Sequence, residues 1–193
     1  MLEVGQEEVD NIAAVLASGL PFRYRAGSAC QHFEERWAEY LGVRHVMLTS
    51  SGTTALVAAL AGLGVGPGDE VIVPAHTFMA TAVAALGVGA IPVIIDIDES
   101  LTMSPAALEA AAGPRARAVI PVHMWGLPAD MEAISAVAAR HDLLIIEDAC
   151  QGVGGGYHGR KLGSMGAANA FSFNYYKNMT SGEGGAVTTN DDH

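Results

Sequence analysis

The sequence predicts an α/β domain with a mostly parallel sheet covered on both faces, and three observations carry that expectation. From His45 onward, short apolar runs alternate with helix-length stretches, and parallel strands need helical crossovers between them. Half of the 193 residues are apolar and only 16% are charged, the opposite of the composition that keeps a chain unfolded. Glycine and proline turns are spread evenly, with no fixed-period repeat, low-complexity tract or charged block to mark an internal boundary. Residues 1–193 therefore read as one domain, at a size that buries roughly 70% of the unfolded surface.

Each element has a local cause. Gln6 to Ser18 places Val9, Ile12, Ala13 and Leu16 at helical spacing, and Gly19 with Pro21 ends the helix. After the loop Leu20 to Gly27, Ser28 caps a second helix whose Phe33, Trp37, Tyr40 and Leu41 share one face, and Gly42 closes it. The alternation then runs as strand Val46 to Thr49, helix Thr53 to Leu63, strand Val71 to Val73, helix Thr77 to Leu86 and strand Pro92 to Ile95. Pro105 to Ala112 and Asp130 to Arg140 read as helices. Ala118 to Val122, Leu143 to Ile146, Ala170 to Phe173 and Ala186 to Thr189 read as strands. Because Asn190-Asp191-Asp192-His193 follows a strand-like run directly, the sequence reads as a fragment of a longer fold.

Twenty-one acids against 10 bases give a net charge of -11. Such a chain is repelled by phosphate backbones and anionic lipid, which argues against nucleic-acid and membrane partners. Val71 to Ile95 carries no formal charge and is long enough to span a bilayer, but Pro74, His76, Gly87, Gly89 and Pro92 divide it into strand, helix and strand. Cys30 and Cys150 show no ligand spacing, so neither a disulfide framework nor a zinc site is expected. Met1 to Glu8 is acidic where a secretory signal is basic and then apolar, which makes the cytoplasm the expected compartment.

The common nucleotide, zinc-protease and serine-hydrolase motifs are absent, and Gly152-Val153-Gly154-Gly155-Gly156 lacks the dinucleotide spacing. What remains is a set of polar residues at the C-terminal ends of expected strands, where open α/β sheets place their ligands. Thr49-Ser50-Ser51-Gly52-Thr53-Thr54 offers amides, hydroxyls and a helix dipole to an anion, or a simple helix cap at Ser51 or Thr53. Glu147-Asp148-Ala149-Cys150-Gln151 ends a buried strand with two carboxylates and an amide. One of the acids suits a protonated heteroaromatic nitrogen, the alternative being a turn acid bonded to nearby amides. Phe171-Ser172-Phe173 runs on through Lys177 to Gly182-Glu183-Gly184-Gly185. Of the two lysines, Lys161 and Lys177, only Lys177 leaves an expected strand end, where it is either a nucleophilic amine or a solvated surface group. Phe78, at the start of a helix, covers a planar ring or belongs to the core. His123 and Trp125 read as packing or substrate-wall residues.

Together these pieces supply what a pyridoxal phosphate site requires: an anion cup, an acid for the ring nitrogen, a lysine for the aldehyde and an aromatic for the ring face. At this point the sequence resembles the DegT/DnrJ-type sugar aminotransferases, a family of fold type I. The resemblance is carried by Ser51 to Leu56, Gly64-Val65-Gly66-Pro67-Gly68-Asp69-Glu70-Val71-Ile72-Val73-Pro74, Pro121-Val122-His123, Glu147-Asp148-Ala149 with Gln151, and Phe171 to Gly185. It implies a three-layer large domain truncated before a small C-terminal domain, with pyridoxal 5'-phosphate as cofactor. In this reading Lys177 is covalently bound to the cofactor, Asp148 pairs with the ring nitrogen and Phe78 stacks on the ring. Gly52, Thr53 and Ser172 hold the phosphate, and Gln151 lies beside the ring. The implied reaction moves an amino group from glutamate or glutamine to a ketosugar, often nucleotide-linked, or to a cyclitol, in a protein that is a homodimer at full length. Ala167 and Cys150 depart from residues frequent in the family. A cofactor-free binding or dimerising module is the other reading of a truncated chain.

Overall fold

The computed structural model describes residues 5–193, so the first four residues of the acidic N-terminal stretch lie outside it. The elements follow the order α1 (Gln6–Ser18), α2 (Ala29–Leu41), β1 (His45–Thr49), α3 (Gly52–Gly62), β2 (Glu70–Pro74), α4 (Ala80–Gly87), β3 (Ile91–Ile95) and α5 (Pro105–Ala111). Then come β4 (Ala116–Val119), α6 (Met131–Arg140), β5 (Leu144–Asp148), β6 (Gly156–Tyr157), β7 (Arg160–Lys161), β8 (Ala168–Ser172) and β9 (Gly185–Thr189). The seven-stranded main sheet has the order β1-β9-β8-β5-β4-β2-β3. Pairs β2–β3, β2–β4, β4–β5 and β5–β8 are parallel, as the helical crossovers require. Strand β9 is antiparallel to both β1 and β8.

Alternation along the strands builds three layers. Val71, Val73, Ala118, Ile120, Ile146, Ala168 and Ala170 face α3 and α4 in one core. Ile72 and Val119 turn to the other face and pack with α5 and α6, while Phe171 and Phe173 meet Trp37 and Leu41 of α2 on that same side. Small residues line both partners where α3 crosses β8: Gly52, Ala55 and Ala59 on the helix, Ala168 and Ala170 on the strand, all buried. The backbones can therefore approach closely, which brings the N-terminus of α3 to the end of β8.

The caps are those the sequence specifies. Ser28 accepts from the Gln31 amide, and Gly42 takes the left-handed conformation that ends α2. Four features differ from expectation. Helix α4 begins at Ala80 rather than Thr77, which leaves Phe78 in the preceding turn. Strand β4 ends at Val119 because Pro121 has no N–H for the ladder, and Val122 makes only an isolated bridge to Asp148. The short hairpin β6–β7 and the antiparallel insertion of β9 leave no periodic signal in the sequence. Among the described residues no helix is long and apolar enough to cross a membrane, and Val71 to Ile95 forms β2, α4 and β3.

Candidate active site

A cavity of about 490 Å³ opens where β5 and β8 end and α3 begins. Gly52, Thr53, Phe78, Asp148, Gln151, Ser172 and Lys177 all line it. Seven residues separated by up to most of the chain are thus brought to one place by the sheet order.

The start of α3 provides an anion-binding edge. Ser51 is the cap: its Oγ accepts from the Thr54 amide at 3.1 Å, and Thr54 Oγ1 accepts from the Ser51 amide at 2.9 Å. The amides of Gly52 and Thr53 belong to the first turn, where helical geometry supplies no partner, so they keep their donors for a ligand at the positive end of the helix. Capping and anion binding coexist here on different residues. A Cβ at Gly52 would lie 2.7 Å from both Cys150 Sγ and Ser172 Cβ. Only glycine lets α3 start this close to the β8 end and to the Ser172 hydroxyl.

Asp148 is buried on the same face. Its Oδ2 accepts from Thr81 Oγ1 at 2.8 Å and its Oδ1 from the Cys150 amide at 3.2 Å. The second bond is the local turn contact open to any acid at a strand end, and the first ties the carboxylate to α4. Both oxygens retain acceptor capacity for a cationic or N–H donor in the cavity. Thr81, fully buried, is a site residue that the sequence did not single out, because a threonine inside an apolar helix reads as packing. Cys150 also lines the cavity; burial pushes its thiol well above the usual range, and the neighbouring Asp148 adds to the effect. The thiol is thus protonated at neutral pH.

Lys177 lies in the β8–β9 connection, where its amide donates to Asn174 O at 2.9 Å, and it lines both the cavity and an adjoining cleft. The other lysine is otherwise engaged: Lys161 Nζ donates to the Tyr40 hydroxyl at 3.2 Å and lies over the Tyr40 ring. Phe78 is 62% exposed and forms part of the cavity wall, so it is not core. Gln151 Oε1 accepts from the Trp125 amide at 3.1 Å, which holds the exposed Trp125 at the rim of the cleft in a left-handed conformation of φ 54°. Tyr176 and Glu183 also line the cavity, and Asn174 Nδ2 donates to Glu183 Oε1 at 2.8 Å. Arg23 does not reach this region. It pairs with Glu34, which also accepts from the Leu48 amide at 2.7 Å, and so ties its loop to α2.

Glu147 points to the opposite face of the sheet. Burial pushes its carboxyl up, but hydrogen bonds from His123 and the amides of Gly163 and Met165 outweigh that cost and hold it below the usual carboxylate value. Its stabilisation is therefore present at neutral pH and is lost as pH falls through that lowered value. The loop that supplies the amides is itself constrained, because a Cβ at Gly163, where φ is +82°, would run into the Phe171 ring.

The residue set fits pyridoxal phosphate group by group. It pairs free amides and a hydroxyl with an anion, a carboxylate with a ring nitrogen, an amine with an aldehyde and an aromatic face with a ring. Comparison with known proteins agrees. The chain is 49% identical over 161 residues to GDP-perosamine synthase of Caulobacter vibrioides, covering 83% of this chain and 43% of that protein. It is 44% identical over 186 residues to an L-glutamine:2-deoxy-scyllo-inosose aminotransferase of Streptomyces lividus, covering 93% and 44%. The fold superposes on an aminotransferase from Psychrobacter cryohalolentis with a TM-score of 0.94 at 40% identity, covering 98% of this chain and 48% of that one. It also superposes on NtdA from Bacillus subtilis, solved with bound cofactor PMP, with a TM-score of 0.87 at 38% identity, covering 98% and 43%. The chain thus spans about half the length of the curated relatives it matches. With a family model matching residues 3–193, the chain belongs to the DegT/DnrJ/EryC1/StrS aminotransferase family.

Proposed function

We propose that residues 1–193 are the cofactor-binding portion of a pyridoxal-phosphate-dependent aminotransferase. The whole protein moves an amino group from glutamate or glutamine to a ketosugar, often nucleotide-linked. The observation that carries this reading is the convergence of Lys177, Asp148, Phe78 and the free amides of α3 on one cavity. When bound, the cofactor supplies an aldehyde for bonding to amino groups and a ring that accepts electrons as a carbon–hydrogen bond breaks. Gly52, Thr53 and Ser172 hold the phosphate, Phe78 covers the ring and Gln151 borders it. Asp148, anchored by Thr81, keeps the ring nitrogen protonated. Lys177 Nζ would be the amine that holds the cofactor covalently and, when not so engaged, the base that would move a proton to and from the substrate carbon. The donor acts before the ketone, so turnover is ping-pong.

The GDP-perosamine synthase relative supports a nucleotide-linked sugar as acceptor, while the inosose aminotransferase relative supports a cyclitol. The longer protein is, in this reading, a cytoplasmic homodimer with small-molecule partners, and the net charge of -11 disfavours nucleic acid and anionic membrane. Reduction of the pyridoxal-phosphate-treated chain with borohydride, followed by peptide mass mapping, tests the assignment. A single adduct on Lys177 that is lost in Lys177→Ala is the expected result. A folded sample with no adduct, or with the adduct on Lys161, overturns it.

A further inference from the structure

His123 and Glu147 take no part in lining the cavity, yet they form a buried, hydrogen-bonded pair next to Asp148. Glu147 Oε1 accepts from the amides of Met165 and Gly166, and Oε2 accepts from the Gly163 amide at 2.9 Å and from His123 Nε2 at 2.8 Å. Both side chains are fully buried. His123 Nδ1 accepts from the Ala129 amide at 3.2 Å. That bond fixes the tautomer: the proton is on Nε2, which donates to Glu147. Every contact of the carboxylate is therefore with a donor that cannot reverse its direction.

The backbone of this pair is also the frame of Asp148. The His123 amide donates to Asp148 O at 3.2 Å, and the Asp148 amide donates to Pro121 O at 2.9 Å. Consecutive residues of a strand point to opposite faces, so fixing Glu147 on one face sets the direction of Asp148 on the other. Among the described residues, the Asp148 carboxylate is held from the cavity side by Thr81 and by its own turn.

We propose that the His123–Glu147 pair is a positioning device that aims Asp148 at the cofactor ring, a role that rests on the functional reading above. Glu147→Gln is the sharpest variant. Its amide NH₂ would face N–H donors whichever way it turned, and His123 could accommodate it only by directing Nδ1–H at the Ala129 N–H. Strand end and loop would part at this point, with Asp148 displaced.

The test is a double-mutant cycle on pyridoxal phosphate binding, followed by absorption titration of the unreduced chain, with urea unfolding to confirm that each variant is folded. Glu147→Gln is expected to weaken binding about tenfold and to change the visible spectrum of the bound cofactor, and to do neither in the Asp148→Asn background. Equal weakening in both backgrounds would mean a general structural role and would overturn the proposal. Should Glu147→Gln not fold, His123→Gln, which keeps a donor toward Glu147 and loses the acceptor for Ala129, enters the same cycle with the same criterion. A folded parent chain that binds no pyridoxal phosphate overturns the functional reading itself, and the positioning role with it.

Discussion

Helices α1 and α3 each carry a recurrent apolar face, but they use it differently. In α3, Gly52, Ala55, Leu56, Ala59 and Leu60 are buried against the sheet. In α1 no residue is buried, and Val9, Ile12 and Leu16 are 54%, 63% and 67% exposed. Between α1 and α2 runs a groove of about 780 Å³, lined by Val15, Leu20, Phe33 and Trp37 among others. Periodicity identifies the face a helix can cover. Whether it is covered depends on what lies opposite: the small residues of α3 meet Ala168 and Ala170 of β8, whereas Ala14 and Ser18 of α1 face an open groove.

Hydrogen exchange should show the widest separation between the two helices. Interior amides of α3 are expected to exchange only through global unfolding, and those of α1 through local openings of near-zero free energy, a gap of about 5 kcal/mol or more. Equal protection would erase the distinction. Next in size, Leu60→Ala removes a fully buried side chain from the α3 core and should cost about 2–5 kcal/mol in urea unfolding. A cost under about 1 kcal/mol would place α3 outside the cooperative unit. Ser51→Ala deletes the α3 cap bond and should cost about 1 kcal/mol. Ile12→Ser on the exposed face of α1 should change stability by no more than about 0.5 kcal/mol; a larger loss in thermal melting would show that this face is covered in solution.

Much of the architecture was legible because its signals are local. Gly19 and Gly42 stop α1 and α2 where the left-handed cap demands glycine, and the apolar runs around Ile72 and Val93 locate β2 and β3. The resemblance names seven candidate site residues, and all seven line one cavity. Thr81 and the His123–Glu147 pair were not legible. A threonine hydroxyl that reaches from α4 to a carboxylate on β5, and a glutamate satisfied by amides in another loop, depend on contacts between segments far apart in sequence. The adjacent acids Glu147 and Asp148 read alike in sequence. Only the packing decides which faces the cavity.

The position of β9 bears on how the chain assembles. Among the described residues, strand β1 pairs with β9 alone, in register from His45↔Thr189 to Thr49↔Gly185. During synthesis β1 emerges long before β9, so the ladder that joins β1 to the other strands cannot close until Gly185–Thr189 exists. Loop closure over such a separation is an entropically costly, late step. The segment from α1 to β1 therefore keeps an unpaired strand edge until β9 arrives, and an open edge of that kind is prone to pair with other chains.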